Sequence, residues 1–593
     1  MDWKKNGSNI LAQDRAKNDI AVRARRPVMI ARGSAARTLR QCAHFRGARP
    51  QVARIANRRH VSSATTSVAV PFPVEAAAKA HPWAGVASQI DGIAPRFEID
   101  ASQIDIIDSP AAFYTTLKEK IRKAKKRIYL STLYIGKTEH ELIDTLRDAL
   151  RRNPKLQVAI LTDYLRGTRE DPDPSCASLL VPLVAEFGER VKVCMYHTPN
   201  LSGWKKKYMP KRINEGWGLQ HMKLYGFDNE IILSGANLSN DYFTNRLDRY
   251  HVFRSKELAD YYHEIHNAVS ELSYDLVPST EHPAGFELQS PMYRGIPDPV
   301  WHSVRYKKHA KQLLEPLIHP RARQKILPYR FGQGKTVVYP LAQFDMLLGQ
   351  PRPDVFMNYE LQTVTSTEKP VLTEVLNAMS EDEALRGARW TFTAGYFNID
   401  PEICEALLEA TPCKAQPIEK DGKVEKSCTV ITASPWANGF YGSSGVSGML
   451  PAAYTLLSRR FLMQVASEGK DDAIQLKEWR KGTVGEPDGF TYHAKGIWIT
   501  LPSRLGQLPE AGPSLTLVGS SNYTKRSYSL DLEVGALVVT ADEELKTKLK
   551  SEVDWLEKDA AVTTQDDLAR IDRRVGARVR ASLWLVEKLG GAL

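Results

Sequence analysis

The sequence predicts an α/β protein built of two duplicated halves. Three observations predict it. Beyond residue 100, apolar positions alternate between strand-like runs and helix-like spacing. The same order of elements then returns later in the chain. Each half ends in a His-x-Lys pair followed by an Asn and a carboxylate.

The elements follow in order. Phe113, Leu117, Ile121 and Ala124 are spaced 4, 4 and 3, one face of a helix. The run from Arg127 to Ile135 reads as a buried strand. Leu142, Leu146 and Leu150 mark a second helix, and Leu156–Thr162 a second strand. In the second half, Ala388–Phe397 overlays Lys126–Ile135, with Tyr396 over Tyr134, and Cys428–Ala433 takes the place of Leu156–Thr162. This is duplication of a domain rather than a short-period repeat. Residues 71–95 are Ala- and Pro-rich and read as a linker. The first domain is expected over 96–275, a connection over 276–325 and the second domain over 326–560. A basic amphipathic helix is expected over 561–593.

With 42% hydrophobic and 25% charged residues, the chain reads as globular. No apolar run approaches the roughly 18–20 residues that a spanning helix needs, so any work on lipid is done at the membrane surface. The net charge of +12 is local. Residues 1–70 hold 15 Lys and Arg against 3 Asp, which leaves the remainder balanced at 66 and 66. A balanced body removes the net-charge argument for a nucleic-acid partner. The tail is Arg- and Ser-rich and lacks acids between Ile20 and Val74, the composition of a mitochondrial transit peptide or of a disordered basic arm. The 6 cysteines form no CxxC or Cys/His cluster, so neither a disulfide framework nor a structural metal is expected. Two GKT triplets, at 136–138 and 334–336, have Ser131 and Tyr329 where a phosphate-binding loop needs Gly, and are rejected as nucleotide sites.

The chemistry lies in the paired motifs. His221 and Lys223 stand two apart on a strand, so both side chains face one spot. Asp228 follows, then Asn237, then Asp248 eleven residues on. In the second half His493 and Lys495 are followed by Asn522 and, again eleven residues on, by Glu533. One HxK alone is a frequent accident; two four-residue sets with equal spacing are not. The residue types suit phosphodiester chemistry. Lys223, Lys495, Asn237 and Asn522 are donors for non-bridging oxygens without a metal. One His attacks phosphorus; the other protonates the leaving oxygen and then deprotonates the acceptor. Asp248 and Glu533 are candidates to fix the imidazole tautomers.

Paired HxK(x4)D motifs are the mark of the phospholipase D superfamily, which the chain resembles. More narrowly it resembles the eukaryotic mitochondrial phosphatidylglycerophosphate synthases. The resemblance rests on QHMKLYGFDN at 220–229, LSGANLS at 233–239, YFTNR at 242–246, YHTPNL at 196–201, TASPWANGF at 432–440 and HAKGIW at 493–498. It implies a phospholipase D-like domain in each half, a mixed sheet flanked by helices, with one active site shared between them. It implies transfer of the phosphatidyl group of CDP-diacylglycerol to glycerol 3-phosphate, with no cofactor, at the matrix face of the mitochondrial inner membrane. His221 is then expected as nucleophile and His493 as acid and base. The resemblance also brings Asp228 into the catalytic set, although the second motif has Thr500 at the matching position. A cardiolipin synthase, phosphatidylserine synthase or phospholipase would share this centre. A nuclease or tyrosyl-DNA phosphodiesterase is opposed by the balanced body, and a degenerate scaffold by the two intact sets.

Weaker signals flank the motifs. Trp204–Arg212, with Lys205 and Lys206, is basic and aromatic: a site for lipid headgroups or a diphosphate, or a solvated loop. Arg166 and Arg169 follow a strand end and suit a substrate phosphate or a surface ion pair. Leu568, Ile571, Val575, Val579, Val586 and Leu589 would line one face of the C-terminal helix, for a membrane interface or for docking on the body.

Overall fold

The computed structural model describes residues 81–208, 214–320, 335–349, 365–412, 418–420, 423–502 and 512–588. The tail read as a transit peptide lies outside them. Two nine-stranded mixed sheets dominate. The first runs in the order Phe286–Gln289, Tyr274–Pro278, Val191–Tyr196, Gln157–Asp163, Arg127–Ser131, Leu224–Phe227, Glu230–Ser234, Tyr250–Phe253, Ile104–Ile107. The second runs Phe97–Asp100, Lys335–Gln343, Glu533–Thr540, Leu515–Gly519, Lys495–Thr500, Arg389–Ala394, Cys428–Ala433, Ile474–Trp479, Ala560–Val562. In each, three parallel strands meet an antiparallel meander at the central strand, Arg127–Ser131 in one and Arg389–Ala394 in the other. The expected overlay of the two halves is thus a shared strand order.

Local sequence explains the helices that cover the outer faces. Pro110–Lys123 starts with Pro in its first turn, after Ser109 has capped the amide of Ala112, and ends on Lys120, Arg122 and Lys123. Its buried face is Phe113, Leu117 and Ile121. With His140–Arg152 and Cys176–Phe187 it seals one face of the first sheet. Glu368–Glu381, Pro401–Glu409 and Leu450–Ser467 do the same for the second. The inner faces meet through one shared core, into which Lys256–Glu271, Ser303–Ile318 and Glu543–Glu557 pack.

Three expected boundaries shift. The stretch read as a linker holds the helix Ala84–Ile90, whose Trp83, Val86 and Ile90 are buried in the core of the second half. Its apolar stripe is only three residues long and is hidden by Ala and Pro. The strand Phe97–Asp100 then pairs with Lys335–Gln343 before the chain crosses to the first sheet at Ile104–Ile107. The region read as a connection over 276–325 supplies edge strands to the first sheet and the helix Ser303–Ile318. The expected single C-terminal helix is broken. Ala560–Val562 is a strand, Gln565–Ala569 a short helix, and extended backbone at Arg570 and Arg574 precedes the helix Ala577–Lys588. Leu568 is buried while Ile571 is 92% exposed, so these two do not share one face; Leu589 lies outside the described residues. The described cysteines, Cys176, Cys194, Cys404 and Cys428, are free thiols.

The halves are joined by backbone pairing as well as by apolar contact. Leu532 N donates to Leu219 O at 2.8 Å and His221 N to Leu532 O at 3.0 Å. In mirror fashion Thr491 N donates to Asn245 O at 2.9 Å and His493 N to Leu247 O at 2.8 Å. A buried ion pair reinforces the second seam. Arg249 reaches from the first half to Glu552 through Nε and Nη2, both at 2.9 Å, and also donates to Leu517 O at 2.7 Å. Trp498 Nε1 and His251 complete the shell around Glu552. Gly496 makes room for this: a Cβ there would lie 1.9 Å from Arg249 Nη1.

Removing one partner of a buried ion pair leaves the other charged and unpaired. Glu552→Ala is therefore expected to lower the unfolding free energy by about 3–5 kcal/mol, read from urea denaturation. Burial opposes the charge on Glu552, but Arg249 and His251 outweigh it and hold its carboxyl below the usual range. Its contribution is present above the unfolded-state pKa, about 4.3, and is lost as pH falls through the lower folded value. Glu552→Gln should flatten the acid limb of the stability curve.

Candidate active site

The seams bring four chain segments to one place. His221 follows the segment paired with Leu532, and Glu533 is the next residue after Leu532. His493 follows the segment paired with Leu247, and Asp248 is the next residue after Leu247. Each imidazole therefore meets the carboxylate of the other half. His221 Nδ1 lies 2.8 and 3.0 Å from the oxygens of Glu533, and His493 Nδ1 lies 2.6 Å from Asp248 Oδ2. All four side chains are buried. Where the carboxylate is ionised it accepts from Nδ1–H and leaves the lone pair on Nε2; at His493 the same Nδ1 also lies 2.8 Å from Lys495 Nζ.

The lysines close the centre. Lys223 Nζ donates to His221 O at 2.7 Å, and Lys495 Nζ to His493 O at 2.8 Å. Lys495 Nζ also stands 3.5 Å from Asp248 Oδ2. Gly235 permits that approach: a Cβ there would lie 2.6 Å from both Lys495 Nζ and Asp248 Oδ1.

Burial sets the protonation states. It pushes His493 down to about 3, helped by Lys495, and His221 well below its ordinary value, helped by Lys223. Both rings are neutral at pH 7. Burial pushes Lys223 down to about 7 and Glu533 up to about 7, against their mutual attraction. Asp248 behaves differently: burial would raise it, but Lys495 and His493 outweigh burial and hold it ionised. The two half-sites are alike in geometry and unlike in charge.

Asn237 acts through a neighbour. Its Nδ2 is 3.1 Å from Tyr242 Oη, which lies 3.4 Å from His493 Nε2. Asn522 is half-buried in the turn after Leu515–Gly519, its backbone N–H donating to Ser527 Oγ at 3.2 Å.

Asp228 is not in this centre. It follows the strand Leu224–Phe227, whereas His221 and Lys223 precede it, a separation on the order of 20 Å in extended chain. Its carboxylate accepts from the amides of Lys125, Lys126 and Arg127 at 2.8, 2.7 and 3.1 Å, and its φ is 52°. It caps the entry to the central strand. In the second half Thr500 pairs with Arg389 at the matching place. Its loss there touches no reacting atom.

The flanking basic residues line the His221 side. Asp163 accepts from Gln220 N at 3.0 Å and from Arg166 N at 2.9 Å, which ties the loop of Arg166 to the segment that carries His221. Burial pushes Asp163 up to about 8, so it offsets little positive charge. Arg166 lies 4.8 Å over the Tyr134 ring, and Arg169 forks onto Glu215. Lys205 lies 4.0 Å over Trp217, and Lys206 Nζ is 2.9 Å from His197 Nε2. The YHTPNL segment at 196–201 thus holds a lysine in place.

The sequence did not single out the wall on the His493 side. Tyr242 and Tyr396 meet the His493 ring edge-on at 5.2 and 5.3 Å, and Tyr454 and Phe440 pack on Tyr396. Arg246 lies 4.6 Å over Tyr242 and donates to Thr491 Oγ1 at 2.9 Å. Arg526, paired to Asp531 at 3.0 Å, belongs to the His221 side. The duplication of Tyr134 as Tyr396 and the place of Arg246 in YFTNR were the available signals. Among the described residues no group of three or more His, Cys, Asp or Glu side chains is arranged to hold a metal ion.

The family described as "Cardiolipin synthase, PLD-like domain" matches residues 117–269. The CDP-diacylglycerol–glycerol-3-phosphate 3-phosphatidyltransferase of Saccharomyces cerevisiae is 44% identical over 495 residues, 83% of this chain and 89% of the relative. The mitochondrial protein of that name from Homo sapiens is 33% identical over 520 residues, 84% of this chain and 85% of the relative. The crystal structure of phosphatidylserine synthase from Haemophilus influenzae Rd KW20 superposes with a TM-score of 0.61 at 20% identity, covering 85% of this chain and 97% of that one. That likeness shows the shared two-half α/β fold. With crossed half-sites and relatives that align over most of both chains, the protein belongs to the CDP-diacylglycerol–glycerol-3-phosphate 3-phosphatidyltransferase family.

Proposed function

We propose that the protein transfers the phosphatidyl group of CDP-diacylglycerol to glycerol 3-phosphate, giving phosphatidylglycerophosphate and CMP, through a phosphohistidine. The observation that carries this reading is the crossed pair of neutral imidazoles, each with Nδ1 on a carboxylate of the other half.

His221 Nε2 attacks the phosphorus of the phosphatidyl phosphoryl group. The bond to the CMP oxygen breaks, and His493 gives that oxygen a proton. The arriving diphosphate is anionic and raises the proton affinity of His493, whose imidazolium is stabilised by ionised Asp248. Neutral His493 then takes the proton of the glycerol hydroxyl, whose oxygen displaces His221 from phosphorus. Lys223 and Lys495 face the non-bridging oxygens, where charge gathers in both transition states. Asn522 donates beside them, and Asn237 orients Tyr242. Arg166, Arg169, Lys205 and Lys206 take substrate phosphates on the His221 side.

Among the described residues no helix is long and apolar enough to cross a membrane. A peripheral enzyme on the matrix face of the mitochondrial inner membrane fits this and the mitochondrial relatives. Residues 1–70 would serve as its transit peptide. No nucleic acid enters the reaction.

CMP release from CDP-diacylglycerol tests the reading, with glycerol 3-phosphate, serine, phosphatidylglycerol or water as acceptor. Glycerol 3-phosphate should support turnover, with EDTA having no effect; product from another acceptor alone would refute it. His221→Ala and His493→Ala should each abolish release. Asp248→Asn and Glu533→Gln should lower kcat by roughly 10²–10⁴-fold, whereas Asp228→Asn should leave kcat of the folded protein within about threefold and cost about 1–3 kcal/mol of stability. The pH profile of kcat/KM should be bell-shaped. Activity rises with pH as Glu533 ionises and falls as Lys223 loses its proton, both near pH 7. Glu533→Gln should remove the acid limb.

A further inference from the structure

Outward from each half-site, packed contacts lead to large apolar side chains that the fold leaves in water. On the His221 side the contacts run outward from the segment just before the strand Leu224–Phe227. His197, which holds Lys206, meets the Tyr164 ring edge-on at 5.0 Å, next to Asp163. Asn200 accepts from Lys307 Nζ at 2.9 Å, which draws in the first turns of the helix Ser303–Ile318. Tyr208 ends the short helix that carries Lys206 and is 70% exposed. Trp301 and Val304, at the start of the drawn-in helix, are 75% and 82% exposed. Arg305 and Lys308 beside them are exposed, as is Lys207 beside Tyr208.

On the His493 side the contacts start at Tyr396, whose ring stands against His493. Phe440 and Tyr454 both pack on Tyr396, at 5.3 and 5.7 Å. The chain between them leaves and returns as an exposed loop carrying Tyr441 and Val446, the latter 73% exposed. From Ser427 to Ser458 the chain bears no charged side chain. Entry of this loop into an interface would desolvate no ion.

We propose that these two rims are the membrane-docking surface: Tyr208, Trp301 and Val304 on one side and Tyr441 and Val446 on the other enter the headgroup region of an anionic bilayer. The inference rests on the proposed lipid substrate and adds where the protein meets the lipid. Tyr and Trp favour that depth, where a ring is buried and its polar edge stays wet. Arg305, Lys308 and Lys207 supply the attraction to anionic headgroups. A protein seated this way holds its phosphoryl-transfer centre at headgroup level, so the diphosphate of the donor reaches the histidines while its acyl chains stay in the bilayer.

The full chain tests this with two readouts. The first is sedimentation with vesicles of phosphatidylcholine and phosphatidylglycerol, against phosphatidylcholine alone. The second is CMP release from CDP-diacylglycerol placed in those vesicles, against a short-chain form dispersed in detergent. The parent should bind the anionic vesicles, and less so as salt rises. The triple variant Y208S/W301S/V304S and the double variant Y441S/V446S should each lower vesicle binding about tenfold, with an equal fall in vesicle activity and unchanged activity on the dispersed substrate. Rim variants that bind vesicles as the parent does would overturn the proposal. So would loss of binding confined to W584S/L585S, which changes exposed apolar residues of the C-terminal helix. If the parent released no CMP even from the dispersed substrate, the catalytic reading would fail, while sedimentation would still decide the docking surface.

Discussion

Each catalytic histidine leans on a carboxylate that its own half does not supply. This crossing is the constraint on which the rest depends. It is built into the backbone: Leu532, just before Glu533, brackets the entry to His221, and Leu247, just before Asp248, does the same for His493. A half on its own would hold a buried imidazole with no acceptor at Nδ1. Its tautomer would be unset, and a buried polar group would be left unpaired. Pairing the halves thus supplies the chemistry and removes a folding penalty. The shared apolar core and the Arg249–Glu552 pair hold the seam against water.

Symmetry of position does not bring symmetry of charge. Asp248 lies among Lys495, His493 and the amide of Arg249, and stays ionised. Glu533 is fully buried, and Lys223, the Ser520 hydroxyl and Lys495 together do not offset that cost, so its carboxyl rises to about 7. The surroundings differ in the same sense. His493 is walled by Tyr242 and Tyr396, with Arg246 behind, while the His221 side carries Arg166, Arg169, Lys206 and Arg526. A double displacement asks different things of its two imidazoles, and a duplicated fold that has drifted in its second layer of contacts provides for both.

Much of this was legible in the sequence because it is written in spacing. The HxK pairs, the Asn residues and the equal interval to Asp248 and Glu533 identify the centre, and the strand overlay identifies the duplication. The crossing was not legible, since equal intervals in both halves leave open which histidine each carboxylate serves. Asp228 was drawn into the centre by closeness in sequence, although an extended strand carries it to the far end of the sheet. The helix at Ala84–Ile90 is not legible because its stripe is too short to stand out against Ala and Pro. The broken C-terminal region looked continuous because apolar spacing does not register extended backbone at Arg570 and Arg574.

The central claim is that one histidine takes the phosphoryl group as a covalent phosphohistidine while the other handles the protons. Stereochemistry at that phosphorus reads it most directly. A CDP-diacylglycerol made chiral with sulfur and an oxygen isotope at the phosphatidyl phosphorus would be turned over with glycerol 3-phosphate, and the product configuration determined by phosphorus NMR. Two in-line displacements predict overall retention. Inversion would mean a single displacement with no enzyme-bound phosphoryl group, and would contradict the account.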